Sequence, residues 1–184
     1  MLFSLIVVMP LIVAAQMIKS DCGAYWYAYD LSLQCPQQIL WTLHREDIGN
    51  IKREPSWRFV SDMADPRAVA NHADYNKSGY HRGHLCPAAD RSGSVLLMRR
   101  TFAMSNIAPQ TASLNLGSWK RTETDTRLLL SEFDSVRVLV LPVFLPTDTT
   151  YIGRHRLAVP HAFFKAVWDA ESDSVLRAWF IFNR

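Results

Sequence analysis

Arg82 and His84 stand two residues apart in the run Tyr80-His81-Arg82-Gly83-His84-Leu85-Cys86-Pro87-Ala88-Ala89-Asp90, with a glycine between them. A guanidinium offers a planar fork that matches phosphate oxygens. An imidazole, with an unperturbed pKa of about 6.5, can take a proton from water near neutrality. Gly83 would let the backbone approach closely or turn unusually. A second block, Ser105-Asn106-Ile107-Ala108-Pro109-Gln110 followed by Leu114-Asn115-Leu116-Gly117-Ser118-Trp119, supplies Asn115. Its amide oxygen is a neutral, hard donor compatible with a Mg²⁺ ion that keeps most of its waters.

These residue types suit phosphodiester hydrolysis. A water must lose a proton, charge growing on the phosphoryl oxygens must be stabilised, and the leaving oxygen must be helped away. His84 is the candidate base and Arg82 a candidate phosphate-binding or site-organising residue. A divalent metal would serve the second and third needs. Each residue also has a simpler reading: an isolated histidine is usually a surface or packing residue, and an asparagine is common at a helix start.

Asn115, Trp119, Glu123 and Arg127 follow at intervals of four. Each step of four advances ~40° around an α-helix, so the four share about one third of its circumference. Glu123 could orient a water beside the metal, and Arg127 could hold the scissile or a flanking phosphate. The same spacing permits an ordinary Glu123–Arg127 ion pair. The overall charge is +3, but the window from Arg82 to Arg127 holds seven basic residues and only three acidic ones. A polyanion would be drawn there, with Arg82, Lys120, Arg121 and Arg127 as candidate nucleic-acid contacts. A solvated helix face of mixed charge is the simpler alternative.

Periodicity supplies the elements that must position these groups. Residues 38–44 alternate as a strand, residues 56–79 read as loop with short helix, 93–100 as a short helix and 101–107 as a strand. The principal helix is expected over 114–133, with Leu116, Trp119, Leu128, Leu129 and Phe133 as its apolar stripe and Ser113 or Thr111 as cap. Val136–Phe144, Tyr151–Val159, Val167–Trp168 and Val175–Phe182 read as strands. The pattern is a sheet-centred α+β domain. Its 184 residues, 49% hydrophobic, suit one ordered core rather than a disordered chain.

Residues 2–15 form an apolar run that is short for a membrane span, and Val13 and Ala15 fit the small-residue positions before a cleavage site. A signal peptide over 1–15 is therefore expected, with residues 16–184 as the domain and a secreted or periplasmic location. No stable membrane partner is expected, although a buried or membrane-resting N-terminal helix is the alternative. Of the three cysteines, Cys22 and Cys35 are close enough in sequence to close a small loop, leaving Cys86 as a buried, inert thiol.

The blocks His81–Asp90, Thr101–Gln110 and Leu114–Glu123, with Tyr151-Ile152-Gly153 and Val159–Lys165, resemble the DNA/RNA non-specific endonuclease family over roughly residues 38–182. The resemblance implies a ββα-metal nuclease fold: a central antiparallel sheet with one long catalytic helix beside the motif loops. It also implies cleavage of DNA and RNA with little sequence preference, using one Mg²⁺ or Mn²⁺. His84 matches the general base and Asn115 the metal ligand. Arg82, Glu123 and Arg127 match positions supporting phosphate binding and catalysis, and Asn106 matches a structural or water-binding asparagine. An inhibitor or immunity protein would be a natural partner for such an enzyme.

The family signature is Asp-Arg-Gly-His, and His81 stands where the aspartate is expected. A neutral imidazole there could accept a hydrogen bond from a water beside the metal or orient His84, with His81 and His84 titrating as a coupled pair on the acid side. The alternative is a nucleic-acid-binding module of the same fold, catalytically impaired by that replacement. A zinc site using His81, His84 and Cys86, or a Cys86–His84 hydrolase, are weaker alternatives because neither has a recognisable fourth ligand or orienting partner.

Overall fold

Val136, Val138 and Val140 are fully buried and alternate with less buried neighbours, the burial pattern of a strand inside a sheet. In the computed structural model, which describes residues 17–63 and 65–184, this strand lies in a six-stranded sheet. The strands are β1 (Met17–Asp21), β2 (Trp26–Asp30), β3 (Cys35–His44), β6 (Ser135–Val143), β9 (Ala162–Asp169) and β10 (Val175–Phe182). They lie in the order β1-β2-β3-β6-β9-β10, and every neighbouring pair is antiparallel.

A second layer covers one face of this sheet. It contains the short antiparallel pair β4 (His81–His84) and β5 (Ile107–Gln110), the helix α1 (Val95–Arg100) and the helix α2 (Trp119–Leu128). Leu85, Cys86, Met104, Ile107, Leu114, Trp119, Leu129 and Leu130 from this layer share one core with Ile39, Trp41, Leu43, Val138, Phe163 and Val167 of the sheet. Two further short strands, β7 (Tyr151–Ile152) and β8 (Leu157–Ala158), pair in a small hairpin. The architecture is α+β, with β4, β5 and α2 forming a ββα unit against a central antiparallel sheet.

Several expectations change in detail. Residues 101–107 are not a strand. Met104–Asn106 form a 3-10 turn, and pairing begins only at Ile107. The cause is Asn106: its Oδ1 accepts from Cys86 N–H at 2.7 Å, and its Nδ2 donates to the carbonyls of Cys86 and Thr101 at 2.8 and 2.9 Å. That fully buried amide curls the chain on itself where apolar alternation alone suggests extension.

The stretch 114–133 is not one regular helix. Leu114–Ser118 make a π turn, α2 covers ten residues, and Leu129–Ser131 are 3-10. The wider turn rotates Leu116 out of the apolar stripe; it is 66% exposed and Leu128 63%, while Trp119 and Leu129 are buried. Thr111 caps the start, its Oγ1 accepting from Leu114 N–H at 3.2 Å. The Tyr151–Val159 strand is instead the β7–β8 hairpin. β1, β2, β4 and β5 have no counterpart in the periodicity.

The cysteines are all free: Cys35 and Cys86 are buried, and Cys22 donates its Sγ–H to the carbonyl of Tyr25 at 3.3 Å. No Cys22–Cys35 loop is closed. The signal peptide expected over 1–15 lies outside the described residues.

Asn106 generates a direct test. Its removal leaves one buried N–H and two buried carbonyls without that partner, each worth roughly 1–3 kcal/mol when orphaned. Asn106→Ala is expected to lower unfolding free energy by about 3 kcal/mol or more in chemical denaturation; a loss below about 1 kcal/mol would show that the amide does not hold this turn.

Candidate active site

β4 carries the motif as a strand, so its side chains alternate. His81 and Gly83 face one way, Arg82 and His84 the other. Gly83 has no room for a side chain: a Cβ there would lie 2.3 Å from the side chain of Gln110, which is fully buried. Two contacts tie the helical layer to this strand. At one end Asn115 Nδ2 and His81 Nδ1 are 3.1 Å apart; at the other, Trp119 Nε1–H donates to the carbonyl of His84 at 3.0 Å. The π turn lies between these contacts, with Asn115 N–H bonded to Thr111 O at 2.9 Å and Trp119 N–H to Leu114 O. It breaks the steady advance expected from 3.6-residue spacing. Trp119 is therefore a buried anchor and not part of a presented row.

The imidazole of His84 sits between aromatic rings, 4.8 Å from Phe102 and 5.5 Å from Phe59 between centroids. Its Nε2 is buried without a hydrogen-bond partner among the described residues. Burial, and secondarily the Arg53 guanidinium, push its pKa down to about 3, so the ring is neutral at ordinary pH. The expected coupled acid-side titration with His81 is thereby corrected: His81 points away to Asn115, and His84 does not gain a proton near neutrality.

Arg82 is held rather than free. Its Nε and Nη2 donate to the carbonyl of His72 and its Nη2 also to Asn76 Oδ1, with the guanidinium 5.3 Å from the Tyr75 ring. The loop that receives it is itself clamped, since Asp74 accepts from the backbone of His155 and lies 3.0 Å from its Nδ1. Arg53 is a residue that the sequence reading did not identify. Its guanidinium lies 4.6 Å from the Phe102 centroid and 5.7 Å from that of Phe59, the two rings that flank His84. Only the fold could show this, because Arg53 sits in an irregular stretch far from the motif in sequence.

On α2, Arg127 Nη1 donates to Asp90 Oδ1 at 2.9 Å, so its ion-pair partner is Asp90 and not Glu123. Asp90 is fully buried, and its Oδ2 accepts from Trp41 Nε1 at 3.2 Å. Glu123 is largely withdrawn from solvent. Burial raises its pKa to about 7, with Asp90 adding to the rise and Lys165 and Arg127 opposing it. Lys120 and Arg121 are exposed on the helix surface. Part of the basic window is structural. Arg91 is buried, pairs with Asp47 at 2.8 Å and donates to the carbonyls of Ala24 and Thr42; Arg100 donates to the carbonyl of Cys22.

Among the described residues no group of three His, Cys, Asp or Glu side chains could hold a metal. That removes the zinc alternative. Burial also pushes the Cys86 thiol far up, so it is no nucleophile. The donor set does fit a largely hydrated divalent cation. Asn115 can give its Nδ2 to His81 and keep Oδ1, a neutral oxygen, for the ion. Asn106 is spent on the backbone, as described above.

Comparison with known proteins bears on the fold and the family. Residues 20–182 match the family model described as DNA/RNA non-specific endonuclease. The mitochondrial nuclease EXOG of Xenopus laevis is 35% identical over 158 residues, which cover 80% of this chain and 44% of that protein. Mitochondrial endonuclease G of Homo sapiens is 38% identical over 107 residues, 53% of this chain and 36% of that one. The chain thus spans less than half the length of these two relatives. A chain of the crystal structure of the EndoG/EndoGI complex superposes with a TM-score of 0.83 at 24% identity, covering 90% of this chain and 74% of its own, which shows a shared fold. With the family model matched over nearly its whole described length, the chain belongs to the DNA/RNA non-specific endonuclease family.

Proposed function

We propose that the chain is a divalent-metal-dependent endonuclease that hydrolyses phosphodiester bonds in DNA and RNA with little sequence preference. The observation that carries this reading is a neutral, aromatic-walled His84 on a strand tied at both ends to the helix layer that presents Asn115 and Glu123. The neutral ring can accept a proton. With Nε2 buried, Nδ1 is the ring nitrogen left to meet a water. Asn115 Oδ1 would hold Mg²⁺ or Mn²⁺, which when bound supplies Lewis-acid stabilisation of the phosphate and its leaving oxygen. Glu123, once ionised, orients the water and its neighbours. Arg53, over the rings beside His84, and the Nη1 of Arg82, whose other donors are held by His72 and Asn76, offer guanidinium donors to the phosphate flanks, and Arg127 supports from the helix. Phosphate contacts of this kind carry little base information. Lys120 and Arg121 extend the positive surface along α2 toward a polyanion.

Export, to the periplasm or outside the cell, is supported by the apolar run at 2–15. The relatives' names place those proteins in mitochondria. Fractionation of cells expressing the chain with a C-terminal reporter tests this, and reporter retained in the cytoplasm would sink it. A protein inhibitor is a further candidate partner, since the superposed EndoG chain comes from a complex with EndoGI.

The deciding experiment is incubation of the purified chain with supercoiled DNA and with RNA, in Mg²⁺ or in EDTA. Metal-dependent degradation of both at many sites is expected. Binding without cleavage in any metal would favour the impaired module instead. Asn115→Ala should weaken Mg²⁺ binding measured by calorimetry along with activity; unchanged binding would make Asn115 a helix-turn residue only.

His84→Ala is expected to lose ~10²–10⁴ in rate while nucleic-acid affinity is retained, the range for removal of a general base. Near-normal cleavage would end the assignment.

The pH profile follows from the two shifted groups. His84 stays neutral far into the acid range, so it does not set the acid limb. Glu123 is raised to about 7 and must lose its proton to act, so activity should climb as pH rises through that region. Glu123→Gln should abolish the climb along with most of the activity. A wild-type rate that is level from pH 5 to 9 would contradict a role for the Glu123 carboxylate.

A further inference from the structure

Lys165 is the most unusual charge in the molecule. It lies in the middle of β9 and is fully buried. Its register partners are Val140 on β6 and Trp179 on β10, so it faces the helical layer from the floor of the sheet. Its Nζ has no hydrogen-bond partner among the described residues. Instead it is ringed by three indoles, with Trp119 at 5.6 Å and Trp41 and Trp179 each at 5.9 Å from their centroids. A buried ammonium is costly without compensation, and indole faces attract a desolvated cation strongly.

Two walls of this cage also hold the site. The indole N–H of Trp119 bonds the carbonyl of His84, and the indole N–H of Trp41 bonds Asp90, which in turn pairs with Arg127. The faces of these rings grip Lys165 while their edges fix the general base and the helix.

From this arrangement we infer that Lys165 is a positioning residue for the reaction: its caged ammonium is a fixed charge beneath α2 that aligns the Trp119 anchor of His84 and, without contacting them, offsets the Asp90 and Glu123 carboxylates. The inference rests on the reading of Glu123 given above. The charges around it balance as two cations, Lys165 and Arg127, against two carboxylates, Asp90 and Glu123. Lys120 also acts on Glu123 from α2 and Arg91 on Asp90; burial lowers the pKa of Lys165 itself, with Asp90 and Glu123 opposing that fall and Arg127 adding to it. Removing the ammonium leaves an excess of buried negative charge, which Glu123 can relieve by keeping its proton. An uncharged residue at 165 therefore raises the pH at which Glu123 ionises, at a distance from substrate and without touching the phosphate-binding arginines.

The test uses the full chain, wild type and Lys165→Met. Carboxyl-carbon NMR titration of Glu123 in the metal-free protein is expected to move to higher pH by about one unit, a tenfold loss of the ionised form on the acid side. In cleavage assays kcat near neutrality should fall about fivefold, approaching tenfold at lower pH, with little change in KM, and recover toward wild type at higher pH. Coincident Glu123 titration curves in the two proteins would overturn the inference. So would a kcat loss that alkaline pH does not recover. Should Lys165→Met fail to fold, the wild type decides: the Lys165 Nζ resonance must report an ammonium throughout the Glu123 titration, and a neutral amine there would overturn the counter-charge. Glu123→Gln keeps the two ideas apart. If that variant remains active, the role of Glu123 falls; if it is inactive while Lys165→Met matches wild type, only the role of Lys165 falls.

Discussion

The hydrogen bond from the indole of Trp119 to the carbonyl of His84 joins the two halves of the site. Without it, the His84 end of β4 would rest on a four-residue pairing with β5, too short to be independently stable. The bond works because Trp119 is itself immobilised. Its ring packs on Phe163 and Lys165 of β9, in the interior of the six-stranded sheet. The sheet thus fixes an indole, the indole fixes a strand end, and the strand end aims an imidazole. At the other end of the same strand, the contact between His81 and Asn115 does the equivalent for the amide.

The polar groups near His84 are arranged by environment as much as by contact. Aromatic walls keep its ring neutral, whereas the carboxyl of Glu123 is drawn toward its protonated form by burial and returned toward its charged form by Lys165 and Arg127. Two titratable groups are thereby pushed in opposite directions, a pattern typical of paired acid–base sites. Neither shift requires strain in the strand, because Gly83 makes room for Gln110 and His81 turns to the opposite face.

Much of this was legible in the sequence, for physical reasons that can be named. β3, β6 and β10 carry apolar, β-branched and aromatic residues in strand-like runs, so periodicity finds them. The motif blocks around His84 and Asn115 are distinctive enough to imply the ββα unit. β4 and β5 escaped because four residues, among them Gly83 and Pro109, do not make a period. The 3-10 turn at Met104–Asn106 escaped because a buried side-chain amide, not backbone alternation, decides it. Asp90, Lys165 and Arg53 escaped as site residues because their importance lies in tertiary neighbours: Asp90 and Lys165 meet Arg127 and Glu123 only when sheet and helix are stacked. Conversely, the Glu123–Arg127 pair that the helical spacing permitted as the simpler alternative is not formed, because Arg127 pairs with Asp90, which lies buried within reach of the guanidinium.

The π turn at Leu114–Ser118 carries a consequence for how the chain can vary in length. Such a turn holds one more residue than a regular helical turn between the same two hydrogen-bonded ends. Asn115 and Trp119 each have a fixed appointment on β4, with His81 and His84. Excising a single residue between them would wind the segment into ordinary helix and swing Asn115 by ~100° about the axis, off His81 altogether. Point substitutions at Leu116 or Gly117, which face solvent, leave that geometry intact. The segment therefore tolerates changes of letter far better than changes of count: its length, not its composition, is what is under constraint.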